Sequence, residues 1–222
     1  MHDLAFNENG AQFAYRHQGG LPWHGHGHSM DGHSTAAEML EVTGADYTVE
    51  LFPANVIHPI TGEPVECPDR FITGRVNADE SVDTWEPVKG RYTVIQNTEV
   101  LDRALAVVGA SGGDAVLETL GVLNAGRKFF AAIDLGTVIV DPMGVNDKVM
   151  RYLLVFNSHD GSSPVIFANT DVRAVCANTV RLGLNAAQSI FKARHTPNFE
   201  KRAEEAGEVL GISADWSKTF VQ

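Results

Sequence analysis

At 222 residues, with 44% hydrophobic and 20% charged residues, the chain has the size and composition of one ordinary globular domain with room for a sizeable core. No apolar run reaches the roughly 20 residues that a membrane-spanning helix requires, and MHDLAFNENGAQFAYRH, with no basic start or long apolar stretch, does not read as a secretory signal. Two cysteines, Cys67 and Cys176, exclude a disulfide framework and a cysteine-rich zinc site, and the net charge of −11 opposes long-range attraction of a polyanion.

The first 33 residues, rich in Gly, His and Asn, read as an irregular N-terminal arm, and residues 34–222 as a single α+β domain. STAAEMLEVTG predicts a short helix with Ser34 or Thr35 as its cap, Glu38 completing a capping box and Gly44 ending it. DYTVELFPANVIHP predicts a strand broken by Pro53, TGEP a turn, and DRFITGRVN a further β segment. YTVIQ (92–96) reads as a short strand. NTEVLDRALAVVGASGG follows as a helix capped by Asn97 and stopped by Gly112-Gly113. AVLETLGVL is ambiguous between helix and strand.

From Arg127 the pattern turns to β. RKFFAAIDLG sets Phe129, Ala131, Ile133 and Leu135 on one side and Lys128, Phe130 and Asp134 on the other. KVMRYLLVFN is apolar on both faces, as a central strand is, and SPVIFAN reads as a third strand. DVRAVCANTVRLGLNAAQSIF predicts one long helix, begun by Asn169, Thr170 and Asp171, with Cys176 on its apolar face. Pro197 opens a last helix that Gly211 ends. The core is therefore expected to be an antiparallel sheet of strand-strand-strand-helix order with flanking helices.

NSHDGSSPVIFANTDVRAVCANTV (157–180) is the densest polar stretch. His159 and Asp160 can be a general base and its orienting carboxylate, or part of a hairpin turn in which Asp-Gly supplies the positive φ at Gly161. The turn reading is preferred, and Cys176 reads as a small buried hydrophobe. WHGHGHSMDGH places His24, His26, His28 and His33 beside Asp31, a density that can bind zinc or nickel. A Gly-rich arm is a poor scaffold for a metal site, however, and no metal or other cofactor is expected. GASGG lacks the Lys-Ser/Thr of a P-loop, and no hydrolase motif occurs.

Charge is unevenly spread. Residues 1–90 carry 4 Lys/Arg against 14 Asp/Glu, whereas residues 120–202 carry 10 against 6. The basic set Arg127, Lys128, Arg151, Arg173, Arg181, Lys192, Arg194 and His195 lies on the β-rich half with Phe130, Tyr152 and Phe156. Cations beside aromatic rings on a sheet are how single strands are held, by phosphate contacts and base stacking.

PWHG, AAEMLEVTGADYTVE, RYTVIQNTEVLD, GRKFFAAIDL, YLLVFNSHDGS, VRAVCANTV and RHTPNFEKRAEEA together resemble the phage/plasmid-like family catalogued as domain of unknown function number 932. The resemblance runs over nearly the whole chain and implies a mobile-element origin and a bacterial host cytoplasm. Its members tend to run longer, so a chain ending soon after Trp216 is expected to be truncated. Members often carry a small apolar residue where His26 stands, a further reason not to expect metal. A weaker architectural likeness is to Rad52-like single-strand annealing proteins. In those, a hairpin and the following helix line a positive groove, and subunits assemble into rings or filaments.

The expectation is a non-enzymatic, oligomeric single-stranded DNA-binding and annealing protein. Arg127, Lys128, Arg151, Arg173 and Arg181 would meet phosphates and Phe130 would stack on bases. The alternatives are a metal-dependent enzyme acting on nucleic acid or nucleotides through His159 and Asp160, and a host-interaction or assembly protein that uses its acidic first half.

Overall fold

The computed structural model describes residues 2–17, 20–77, 79–110, 115–140 and 147–212. Phe6–Asn7 (β1) and Gly10–Ala11 (β2) pair antiparallel; Phe13–Arg16 (β3) and His28–Met30 (β4) enter the principal sheet. This corrects the expected irregular arm. β3 is buried along its length, with Phe13 and Tyr15 on one face and Ala14 on the other. Buried Arg16 donates to the carbonyls of Leu117 (2.7 Å), Asp31 (3.1 Å) and Ser34 (2.8 Å), which ties the segment down. A four-residue alternation flanked by Gly, His and Asn is too short to stand out from the sequence.

Ala36–Thr43 (α1) is the predicted helix. Thr35 Oγ1 accepts from the Glu38 N–H, the Glu38 carboxylate accepts from the Thr35 N–H, and Gly44 closes the helix at φ 58°. Glu50–Ile57 (β5), Pro64–Val76 (β6) and Val82–Lys89 (β7) form a separate three-stranded antiparallel sheet. β5 continues through Pro53 instead of breaking: it is an edge strand, where a missing N–H is tolerated, and its register shifts just after the proline. Residues 92–96 are not a strand. The Thr93 N–H goes to the His195 carbonyl, and the Gln96 side chain bonds both backbone groups of Val49.

Asn97–Ala110 (α2) follows, with Asn97 inside the helix and not at its cap. The Gln96 N–H takes the Glu99 carboxylate at 2.9 Å, which frees the Asn97 side chain for tertiary contacts. Gly112-Gly113 lies outside the described residues. AVLETLGVL resolves as Val116–Leu123 (β8), followed by Lys128–Val140 (β9), Asp147–Ser158 (β10) and Val165–Thr170 (β11). The long helix predicted after β11 is shorter than expected. Only Ala177–Asn185 (α3) is helical, and Ser189–Ala193 (β12) is a strand because Phe191 and Ala193 alternate into the core. Asn169 and Thr170 are buried in β11 and cap nothing; the Thr179 hydroxyl accepts from the Cys176 N–H at 3.0 Å instead. Phe199–Glu204 (α4) and Ala206–Leu210 (α5) complete the order, with Gly211 at φ 68° ending the second.

The principal sheet runs β12-β11-β10-β9-β8-β3-β4, antiparallel except between β3 and β4, so the chain is α+β. Both faces are covered. Phe129, Ile133, Leu153, Val155 and Phe167 pack with Met39 of α1, Val100 and Leu101 of α2 and Phe199 of α4. Phe13, Phe130, Leu154 and Phe156 on the other face pack with Cys176 and Val180. Residue 121 must be glycine for this second layer to close, since a Cβ there would lie 2.7 Å from the Phe130 ring and 2.9 Å from that of Phe13. Gly121→Ala is expected to destabilise by roughly 1–3 kcal/mol, the usual cost of overpacking, read as a lowered midpoint in urea.

Candidate nucleic-acid interface

The basic residues picked out by the sequence separate into two groups. Arg151 and Arg173 are held by carboxylates: Arg151 Nε lies 3.4 Å from Asp171, and Arg173 Nη2 lies 2.8 Å from the buried Glu118. Arg173 also donates to the Gly20 carbonyl, so it braces the segment after β3 and is not presented to a ligand. Arg127 is half-buried in the turn before β9, where its carbonyl accepts the His159 N–H at 2.8 Å. Phe130 is fully buried, ring against ring with Phe13 at 6.1 Å, and no base can reach it; the expected stacking role is corrected.

Lys128 and Arg181 do come together. They line an open groove of about 240 Å³ between α3 and the sheet, with Asn124 and Asn185 as amides and Leu123, Phe156, Val180 and Leu184 as its apolar floor. Asp3 is the carboxylate in this lining. Register extends the surface outward: Phe156 pairs with Ile166 and Ile166 with Lys192, and directly paired residues share a face. Lys192 is exposed on that face beside the groove, whereas Arg194 follows the end of β12 and lines a different cleft. Lys128 reaches Asp160 only at 3.7 Å, a partly exposed pair worth little net stability.

His159 and Asp160 point apart. His159 is fully buried, and its Nε2 donates to Asn97 Oδ1 at 2.8 Å; the role of Oδ1 is set because Asn97 Nδ2 donates to the Ala45 carbonyl at 2.9 Å. Its ring stacks on Trp85 of β7 at 5.8 Å and meets Tyr47 edge-on, with the Arg75 guanidinium over the far ring at 4.9 Å. Burial drives its pKa down to about 3, so the imidazole is neutral and has no path to a substrate. It joins α2, the 45–47 segment and the small sheet to the β10–β11 turn. Asp160 faces the other way; although burial opposes its charge, hydrogen bonds from Ser158 and Ser162 hold it below the usual carboxylate range. Gly161, at φ 68°, makes the turn. The catalytic pair is therefore replaced by a turn and a buried structural imidazole.

The arm histidines are also occupied. His24 Nδ1 accepts the His26 N–H at 3.1 Å, which leaves Nε2 to donate to the Val175 carbonyl, and His28 belongs to β4. Among the described residues, no three His, Cys, Asp or Glu side chains are grouped so as to hold a metal ion. Nor, among them, is any helix long and apolar enough to cross a membrane.

Asn124 and Asn185 carried no signal of their own in the sequence, since each looks like an ordinary turn or helix-end residue. Asn97 reads as a helix cap in the sequence, but it is a helical residue whose side chain bonds the Ala45 carbonyl and His159. No curated protein and no solved structure matches the chain, and the expected likeness to single-strand annealing proteins finds no support among them. The sequence profile of a domain of unknown function, DUF932, matches residues 85–222, which hold β8 to β12, α3 and every residue of the groove except Asp3. Over that majority of its length, the chain belongs to the DUF932 family.

Proposed function

We propose that the protein binds single-stranded DNA in the groove between α3 and the principal sheet, and that copies set side by side along the strand promote annealing. One observation carries the reading. In a chain of net charge −11, Lys128, Arg181 and Lys192 gather on one face around an open groove with two amides in its wall. Cations supply affinity for phosphates without base preference, and amide groups add hydrogen bonds to sugar or base. The apolar floor accommodates the flat face of a base, while Phe130 is too deep to take part.

Two features support assembly. β9, β10 and β11 are consecutive antiparallel strands and α3 packs on β10 and β11, which gives the groove a rigid wall that repeats from copy to copy. The sheet ends at β12, whose outer edge offers backbone groups to a neighbouring copy. The role proposed is that of a mobile-element protein working in a bacterial cytoplasm.

The test is light-scattering mass with and without an unphosphorylated 40-mer of deoxythymidine, alongside a fluorescence assay of annealing between complementary strands. A rise in oligomer mass with the oligonucleotide and faster annealing are expected. Arg181→Ala, an exposed side chain outside the core, should weaken binding by roughly five- to tenfold with unchanged unfolding temperature. Retention of no oligonucleotide at low salt by the folded protein would end the proposal.

A further inference from the structure

A second cleft, of about 640 Å³, opens at the end of the sheet away from β4. Three separate segments line it: Pro87–Lys89 with Arg91 and Tyr92, the β10–β11 turn from Asp160 to Pro164, and Arg194 to Thr196. Three cations, Lys89, Arg91 and Arg194, stand exposed around it against the single carboxylate of Asp160, which already has Lys128 as a partner. His195 is 7% exposed and lines the cleft; neither ring nitrogen makes a hydrogen bond of good geometry, although the backbone of Thr93 is near enough to act on the ring. Its ring lies flat on Tyr92, with centroids 4.7 Å apart and planes 9° apart, so the imidazole is held in place. The Tyr92 hydroxyl is turned away, donating to the Ser158 carbonyl.

A buried imidazole without a good hydrogen bond is costly unless something completes it. In the free protein burial drives the pKa down to about 4, with the Thr93 backbone and the Asp160 charge pulling the other way. The groups around it favour an anion over a cation or a neutral sugar. Guanidiniums give forked donors that match phosphate oxygens, and a neutral imidazole N–H adds a directed donor. Three cations in one cleft match a dianion better than the single charge of a backbone diester.

We propose that this cleft binds a terminal phosphomonoester, with Arg91, Arg194 and Lys89 neutralising the phosphate and His195 donating to one of its oxygens. The site is separate from the α3 groove and does not depend on strand binding there. The same chemistry comes from two sources, a free nucleotide or the 5′-phosphate of a DNA strand.

The experiment follows the His195 imidazole signals by NMR, assigned with His195→Gln, while the full chain is titrated with inorganic phosphate and with thymidine 5′-monophosphate at constant pH and ionic strength. Saturable movement of the His195 signals with both is expected, with affinity reduced roughly tenfold by Arg91→Ala and again by Arg194→Ala. Both side chains are exposed, and unchanged unfolding temperatures would confirm that the variants are folded. Oligonucleotides with 5′-phosphate and 5′-hydroxyl ends then separate the sources. Tighter binding of the phosphorylated end assigns the site to strand ends, and equal binding assigns it to nucleotides. His195 signals unmoved by 10 mM of either phosphate compound, or moved equally in the arginine variants, would overturn the proposal. Failure of the α3 groove is read separately, from Arg181→Ala on the unphosphorylated 40-mer.

Discussion

Arg173→Ala is expected to destabilise the fold by about 3–5 kcal/mol, the range seen when one partner of a buried ion pair is removed. Glu118 sits at a register irregularity of β8 and is 4% exposed, with the guanidinium of Arg173 at 2.8 Å. Burial already pushes the Glu118 carboxyl pKa up, and the arginine's charge works against that shift. Without the arginine, the carboxylate has to ionise at greater cost or take up a proton, and the bond to the Gly20 carbonyl is also lost. Glu118→Gln should partly restore the Arg173→Ala protein, because an amide pays no ionic desolvation. Chemical denaturation of the single and double variants reads this directly. An Arg173→Ala midpoint equal to that of the parent would remove the bracing role assigned to the pair. The folded fraction should still bind an oligonucleotide like the parent, the reverse of what its place in the basic set suggested.

The second large effect is acid lability. His159 and His195 titrate near 3 and 4 in the folded chain, with burial the first cause in both, against 6.5 for an ordinary imidazole. The unfolded state therefore binds more protons below pH 6.5. Stability is full above that pH and falls as pH drops towards the folded values. Each histidine removes about 1.4 kcal/mol per pH unit in that window, roughly 5 kcal/mol for the pair by pH 4.5. Asp160, whose pKa is lowered, stays ionised through most of the window, while Glu118, whose pKa burial raises, opposes the fall in stability and makes the histidine slope an upper bound. Urea midpoints measured from pH 7.5 to 4.5 should show the fall, and His159→Gln should flatten it by about half. A flat profile in the parent would mean that these imidazoles are not buried as described.

Local chemistry was legible in the sequence where neighbouring residues decide the outcome. The Thr35–Glu38 capping box, the Gly161 turn and the alternation of Phe129, Ala131 and Ile133 all act within a few residues. Tertiary decisions were not legible. β3 is a strand because Gly121 and Thr119 of β8 lie beside it, more than 100 residues away. SIFKA is a strand and not the end of a helix because β11 offers it a free edge. The site followed the same division: Lys128 and Arg181 meet across a groove, while Arg151 and Arg173, identical in a charge count, are held by Asp171 and Glu118. Charge type can be read from sequence, but charge pairing requires contacts between distant segments. His159 shows the same limit, because a histidine beside an aspartate gave no sign that Trp85 and Asn97 enclose it.

The most direct measurement is the salt dependence of oligonucleotide binding, by fluorescence anisotropy of a labelled, unphosphorylated deoxythymidine 20-mer between 50 and 200 mM salt. With Lys128, Arg181 and Lys192 each meeting one phosphate, the slope of log K against log salt should be about −2, at roughly −0.7 per phosphate. Arg181→Ala with Lys192→Ala should bring it to about −0.7 while the Arg151→Ala slope stays at the parent value. A parent slope near zero, or one that the double variant leaves unchanged, would contradict a DNA strand lying in the α3 groove.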